Sequence, residues 1–177
     1  MADALPDLQQ YVGGDFGPFL AWDEVNAAMI RHWCEAMGDA CPLYTDTAAA
    51  AAAGFEQLAA PPTMLMAWTM PGYGGQRPPG SASGDHALGV LAIIEAAGYP
   101  GVVAVNCEQE YFQYLQVGDR VYFRSSCEAI SDEKTTALGV GFFVTELATF
   151  YNQRDEVVGT QRFRVFKYRP QPRQAST

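Results

Sequence analysis

Few side chains in this 177-residue sequence could do chemistry, so their spacing is informative. Two histidines, His32 and His86, and four cysteines, Cys34, Cys41, Cys107 and Cys127, supply every imidazole and thiol. A structural metal needs four converging ligands at short local spacing, and there is no C-x-x-C pair here, so no metal site is expected and the thiols read as buried and reduced. The cations gather late. Arg162, Arg164, Lys167 and Arg169 lie on one strand-like run, where alternation puts the first two on one face and the last two on the other. Such a strip can hold a small phosphorylated ligand through charge-assisted bonds, or be a solvated strand face. Thr63 stands before the apolar run Met64 to Met70, where it reads as a helix cap or as an N-terminus offered to an oxygen ligand.

The net charge is −9. Residues 1 to 118 carry 13 acidic and 2 basic side chains, whereas residues 119 to 177 carry 7 acidic and 9 basic. An acidic chain repels phosphate backbones, which disfavours a nucleic-acid binder. The longest apolar stretch, Ala87 to Ala97, is too short to cross a bilayer, and residues 1 to 10 have no basic region followed by an apolar core. No membrane partner and a cytoplasmic location are therefore expected.

The elements that must position these residues fall into two halves. Trp22 to Met37 has Val25, Met29, Trp33 and Met37 at helical spacing, widened by Ile30 and Cys34, with Asp23 as the expected cap and Gly38 as the stop. A loop, GDACPLYTD at Gly38 to Asp46, leads to a short alanine-rich helix, and Thr63 or a neighbour opens another. Glycine and proline crowd Pro71 to Gly84, which predicts a mobile loop or one ordered only by a ligand or partner. His86 to Ala97 predicts a helix buried on most sides. From Val102 the period becomes two: Val102 to Tyr114, Arg120 to Ile130, Ala137 to Asn152 and Val157 to Tyr168 predict strands, joined by hairpins at Val117 to Asp119, Ser131 to Lys134 and Asn152 to Glu156. The expected fold is α+β, an antiparallel meander wrapped around a buried helix, over residues 1 to 170. Residues 171 to 177 read as a tail or the start of a linker.

The helix Val25 to Gly38, the loop GDACPLYTD, APPTM at Ala60 to Met64, QVGDRVYF at Gln116 to Phe123 and KTTALGVGFFVT at Lys134 to Thr145 occur in an order that resembles a known family. It is the MaoC-like (R)-specific enoyl-thioester hydratases of the hot-dog fold, in their fatty-acid-synthase-type dehydratase N-terminal branch. In catalytic members the loop reads like G-D-x-N-P-x-H, and its aspartate and histidine activate the water added to the enoyl double bond. Asp39 occupies the aspartate position, Cys41 the asparagine, Pro42 the proline and Tyr44 the histidine.

A phenol with an ordinary pKa of about 10 is a poor base at neutral pH, whereas imidazole at about 6.5 is well matched. Asp39 then reads as a loop-stabilising residue, and no catalytic residue is expected in this chain. The resemblance implies the histidine-lacking subunit of a heteromeric steroid side-chain enoyl-CoA hydratase. A partner hot-dog subunit would bring the Asp/His pair, and a further C-terminal domain would work with an aldolase. Met64, Met66, Trp68 and the backbone at Thr63 would then shape the acyl pocket, although each position also fits core packing or a simple cap. Arg162, Arg164, Lys167 and Arg169 would meet CoA, which is substrate rather than cofactor. A self-sufficient homodimeric hydratase or thioesterase and a non-enzymatic acyl-thioester or lipid-binding module are the alternatives.

Overall fold

The computed structural model describes residues 4–82 and 87–171. Its strands are β1 (Asp15–Leu20), β2 (Gly101–Tyr111), β3 (Tyr122–Ile130), β4 (Lys134–Thr135), β5 (Gly139–Tyr151) and β6 (Val157–Pro170). The helices are α1 (Ala27–Met37), α2 (Pro42–Thr45), α3 (Thr47–Ala52), α4 (Leu65–Trp68) and α5 (Val90–Ala96), with short 3₁₀ turns between them. The strands form one antiparallel sheet in the order β1-β3-β5-β6-β2, with β4 paired to β5.

β5 and β6 form a long hairpin whose middle is buried on both faces, with adjacent residues such as Val144 to Glu146 and Val165 to Lys167 all buried. Its turn is built by Asn152, whose side-chain oxygen accepts the amides of Arg154 and Glu156, while Asp155 takes the left-handed backbone with φ 60°. α5 lies against this sheet as the central helix. Val90 and Ile94 (0% exposed) pack with Cys127, Ile130, Phe142, Val144 and Val165. Each such side chain contributes about 1.5–3 kcal/mol by leaving water. The helix expected at His86 to Ala97 is therefore present, begun by a 3₁₀ turn at Ala87–Gly89, but it buries one face only: Val90 and Ile94 are buried while Ala92, Glu95 and Ala96 are exposed, so it is not buried on most sides as its apolar sequence suggested; His86 itself lies outside the described residues.

Four expectations need correction. The last four strands are not a simple meander: β2 joins the far side of β6, so the Val117 to Asp119 segment is a crossover and not a hairpin. Backbone pairing diverts it, because Val117 N–H donates to Leu58 O, Gly118 N–H to Val25 O, and Ala60 N–H to Leu115 O. β1 was not expected, since Gly17-Pro18 interrupts its alternation and shifts its register between Phe16 and Phe19.

α1 starts later than expected, with Asn26 and not Asp23 as its cap, accepting the Met29 amide at 2.9 Å. The buried stripe is consequently Ile30 and Cys34, while Met29 and Met37 point outward at 37% and 65% exposure. Both rows are apolar at i, i+4 spacing, and only tertiary packing chooses between them. The glycine- and proline-rich loop is tied to the fold by its own bonds over its described part, residues 71–82. Ala82 N–H donates to Pro18 O at 2.7 Å, Leu20 N–H to Ser81 Oγ at 3.1 Å, and Trp22 Nε1 to Gln76 O at 3.3 Å.

Among the described residues no group of three or more His, Cys, Asp or Glu could hold a metal ion, and no helix is long and apolar enough to cross a membrane. Cys34 and Cys127 are buried as expected, but Cys41 is only half-buried and Cys107 is exposed on β2. Pro170 ends β6, and the tail from residue 172 onward lies outside the described residues.

Candidate functional site

The loop after α1 is set by Gly38, which takes the left-handed conformation at φ 67° and lets the chain turn back toward α2. Asp39 then uses Oδ1 to accept the Cys41 amide at 3.0 Å, an Asx turn that leads into Pro42 at the first position of α2. This places Tyr44 in the core at 8% exposure. Burial is the first cause that pushes its phenol well above the ordinary tyrosine range, followed by the nearby Tyr114, to whose side chain it is hydrogen-bonded, and then by Cys41 and Asp39. The resulting group is a phenol locked in its neutral form. It cannot take a proton from water at neutral pH. His32 is exposed on α1, its Nδ1 3.5 Å from Glu35, and cannot serve this loop.

The segment that follows is pinned at Ala59 and Ala60, both buried, by a backbone bridge to Gln116. Pro61 precedes the 3₁₀ turn Pro62–Met64, which runs into α4. The structure separates the four residues predicted here. Thr63 is exposed and makes no side-chain cap bond. Met64 (1%) and Trp68 (5%) are packed in the core, although the Trp68 indole N–H is buried with no hydrogen-bond partner. Met66 is turned outward, at 46% exposure, over a cavity of about 240 Å³.

That cavity lies between the end of α4, the loop after it, and strands β3, β5 and β6. Its walls are apolar, with Met66, Met70, Phe123 and Phe150, but four polar side chains reach it: Thr69, Arg77, Glu146 and Gln161. Glu146 and Gln161 are each 5% exposed and Thr69 is 3% exposed. Glu146 accepts the Ser125 hydroxyl, and Gln161 accepts the Gln109 amide at 2.7 Å. These polar lining residues were not anticipated from sequence. Two signals existed: Glu146 is a lone carboxylate inside the apolar run Ala137 to Asn152, and Arg77 is one of the two basic residues before position 118. A larger groove of about 400 Å³ runs beside it, floored by Trp68 and edged by Trp22, Met29 and Tyr73. A further depression, about 690 Å³, is an open trough around Trp22, Arg120 and Tyr122, already spanned by the Arg120–Glu24 ion pair at 2.7 Å.

The cations of β6 do split between the two faces of the sheet. Lys167 is 3% exposed and its ammonium meets Glu95 and the Pro100 carbonyl at the end of α5. Arg169, on the same face, donates to Gly98 O at 3.2 Å and lies over the Tyr99 ring at 4.6 Å. On the other face Arg162 is held by Glu128 at 2.7 Å and Glu108 at 3.4 Å. Arg164 lies 4.6 Å over Phe143, with its Nε buried and unpaired. Two of the four cations are thus already neutralised by carboxylates, whereas Arg164 and Arg169 have no carboxylate partner among the described residues. One further surface stands out. β2 pairs with β6 on one side, while Val102, Val105, Tyr111 and the adjoining Phe112 are exposed along it.

Comparison with known proteins places this geometry. A family model described as FAS1-like, dehydratase domain region, matches residues 10–161. A probable enoyl-CoA hydratase alpha subunit from Thermomonospora curvata is 46% identical over 165 residues, covering 92% of this chain and 51% of that protein. The 3-oxo-4,17-pregnadiene-20-carboxyl-CoA hydratase alpha subunit of Mycobacterium tuberculosis is 41% identical over 170 residues, covering 93% of this chain and 53% of that protein. The chain therefore spans about half the length of these curated relatives. A chain from the crystal structure of the ChsH1–ChsH2 complex of Mycobacterium tuberculosis superposes with a TM-score of 0.80 at 42% identity, over 89% of this chain and 90% of that one. A MaoC-like dehydratase with a TM-score of 0.65 and 19% identity, over 92% of this chain and 43% of that one, shares the fold. The strand order, the central α5 and the loop after α1 are thus those of a MaoC-like hot-dog unit, and the chain belongs to the FAS1-like dehydratase family.

Proposed function

We propose that this chain is the non-catalytic, substrate-shaping half of a heteromeric (R)-specific 2-enoyl-CoA hydratase. The observation that carries this reading is Tyr44: where a catalytic member needs an imidazole, this chain has a buried phenol held neutral beside Tyr114. Asp39, the other half of the pair, uses an oxygen to hold its own loop. The alpha-subunit names of two relatives and the two-component complex that contains the structural neighbour support a second subunit. That subunit, a hot-dog unit with the Asp/His pair, would pair along the exposed apolar edge of β2.

In the assembled site the partner's base takes a proton from water, and the water oxygen bonds to the β-carbon of the enoyl thioester. The proton held by the base is then returned to the α-carbon, which restores the base, and backbone N–H groups stabilise the negative charge that develops on the thioester oxygen in between. This chain holds the acyl group in the cavity under Met66, a side chain that adapts to irregular shapes, and keeps bulk water from it. Thr63 and the α4 segment border the acyl group, and Arg164 on one face or Arg169 on the other offers charge to CoA phosphates, with Arg162 and Lys167 as weaker candidates because each already has a carboxylate. A bulky steroid side-chain thioester is the preferred substrate, following the relative that acts on a pregnadiene carboxyl-CoA. We place the reaction in the cytoplasm, and contact with an aldolase in sequence beyond this hot-dog unit.

The test is a steady-state assay of enoyl-thioester absorbance with this chain alone and co-purified with a histidine-bearing hot-dog subunit encoded beside it. Activity only in the mixture is expected. Equal activity from this chain alone overturns the proposal in favour of a self-sufficient hydratase or thioesterase. Tight binding without turnover in every mixture would make it an acyl-binding module.

A further inference from the structure

A chain of polar side chains runs from the edge strand to the cavity. Gln109 and Tyr111 are two residues apart on β2 and so share a face of the sheet, and Gln109 is paired in register with Gln161 on β6. The Tyr111 hydroxyl donates to Gln109 Oε1 at 2.7 Å, Gln109 Nε2 donates to Gln161 Oε1 at 2.7 Å, and Gln161 Nε2 reaches Met66 Sδ at 3.6 Å. This chain has one polarity. It ends on a thioether, which accepts weakly and cannot donate, so the amide nitrogen of Gln161 faces Met66 and the cavity while its oxygen faces β2. Its two ends differ in burial: Tyr111 is 38% exposed and Gln109 is exposed, whereas Gln161 is 5% exposed.

A primary amide has two N–H donors, and those of Gln161 meet nothing better than one long contact to sulfur. A buried donor without a good acceptor is costly, and a ligand oxygen in the cavity removes that cost. The space has room for one. A cavity of about 150 Å³ accepts benzene, so about 240 Å³, walled by Met66, Met70, Phe123 and Phe150, takes a fused pair of rings. We infer that Gln161 is a specificity residue that donates a hydrogen bond to an acceptor oxygen of the ligand in this cavity, and that Gln109, held in turn by Tyr111, is the positioning residue that keeps its N–H turned that way. That the ligand is an acyl thioester rests on the reading given above; the direction of the donor does not.

Two planar bicyclic probes test it on the co-purified complex: coumarin, whose lactone presents a carbonyl oxygen, and naphthalene, which has a similar outline and no acceptor. Dissociation constants come from equilibrium dialysis, so turnover is not needed, and their ratio cancels changes in cavity shape or assembly. Gln161→Met should raise the coumarin-to-naphthalene ratio of dissociation constants about tenfold, as expected when a buried carbonyl loses its donor. Gln109 does not line the cavity, and in Gln109→Glu the carboxylate has no N–H to give. Gln161 must then turn its N–H toward β2 and its oxygen toward the cavity, so this exposed substitution should raise the ratio about as much. A ratio unchanged within about twofold in Gln161→Met, binding of neither probe by the wild type, or equal weakening of both overturns the inference; the last would leave Gln161 as core packing. An unchanged ratio in Gln109→Glu overturns the positioning role. Should Gln161→Met fail to fold, Gln109→Glu still decides. The expected ratios in a complex that hydrates no enoyl thioester keep Gln161 as a specificity residue and remove the hydratase reading instead.

Discussion

Replacing Tyr44 by phenylalanine separates a structural tyrosine from a catalytic one, because the two roles differ by orders of magnitude in what is lost. The ring is 8% exposed in the core, and Tyr44→Phe keeps it while deleting only the hydroxyl. The deleted bond is to Tyr114, which is 42% exposed and can turn its own hydroxyl to water, so no buried group is stranded. The loss is then that of one ordinary hydrogen bond, about 1 kcal/mol. In a domain of this size that lowers Tm by about 2–4 °C. Hydratase activity of the co-purified complex should stay within about twofold, because a phenol held neutral gives no proton transfer. Had Tyr44 served as the base, activity would fall by about a hundred- to ten-thousandfold. Thermal melts and initial rates on the same preparation give both numbers. A rate loss beyond a hundredfold with an unchanged Tm refutes the argument.

Lys167 and Glu95 make a second test. Lys167 is 3% exposed, so Glu95→Gln leaves its ammonium without a counter-charge. Because the Glu95 side chain is 60% exposed, the expected cost is about 2 kcal/mol by urea denaturation, below that of a fully buried pair. Adding Lys167→Met should recover most of it, and no recovery would mean that the pair is not the source. The pH dependence of stability has two limbs. Arg124 holds the Asp15 carboxyl below its ordinary range through a hydrogen bond, and Arg162 does the same for Glu128. A lowered folded pKa gives stability present above the unfolded pKa of about 4 and lost as pH falls below it, so the urea midpoint should decline there, and Arg124→Gln should flatten the decline. At the other limb, burial pushes the Tyr122 phenol up to about 12, so its contribution is present below pH 10 and fades as pH rises toward 12. A Tyr122→Phe variant that declines as steeply over that range would assign the alkaline limb to other groups.

The sequence shows the local parts of this fold and hides the non-local ones. β3 is legible because its residues alternate in burial, β5 and β6 because of their long apolar and aromatic content between turn signals, and α5 because of its run of apolar residues. The placement of β2 beyond β6 is not legible, since a strand's neighbour is set by contacts some sixty residues away, and its own pattern is nearly uniformly exposed. α1 was found, but its inward face was decided by which of two apolar rows met the sheet and the α2 loop. At the site, the substitution of Tyr44 for histidine is plain in the sequence, but the neutral state of the phenol depends on Tyr114, seventy residues later. The polar lining of the cavity was overlooked because Thr69, Arg77, Glu146 and Gln161 come from four separate segments. The four cations on β6 were read as equals, yet the acids that neutralise Arg162 and Lys167 lie on β2, β3 and α5.

The sheet order also sets when this molecule can fold during synthesis. β6 is the last strand of this sheet in chain order, and it sits between β5 and β2. Until Val157–Pro170 leaves the ribosome, neither neighbour has its partner, and β2 has waited with its valines exposed since residue 111. β3 and β5 can pair earlier, but the sheet cannot close over α5 before then. A nascent chain therefore carries two open strand edges until β6 emerges, the condition under which chains join to each other instead of to themselves. If a partner pairs along β2, as proposed above, it meets a fixed strand only after β6 has emerged.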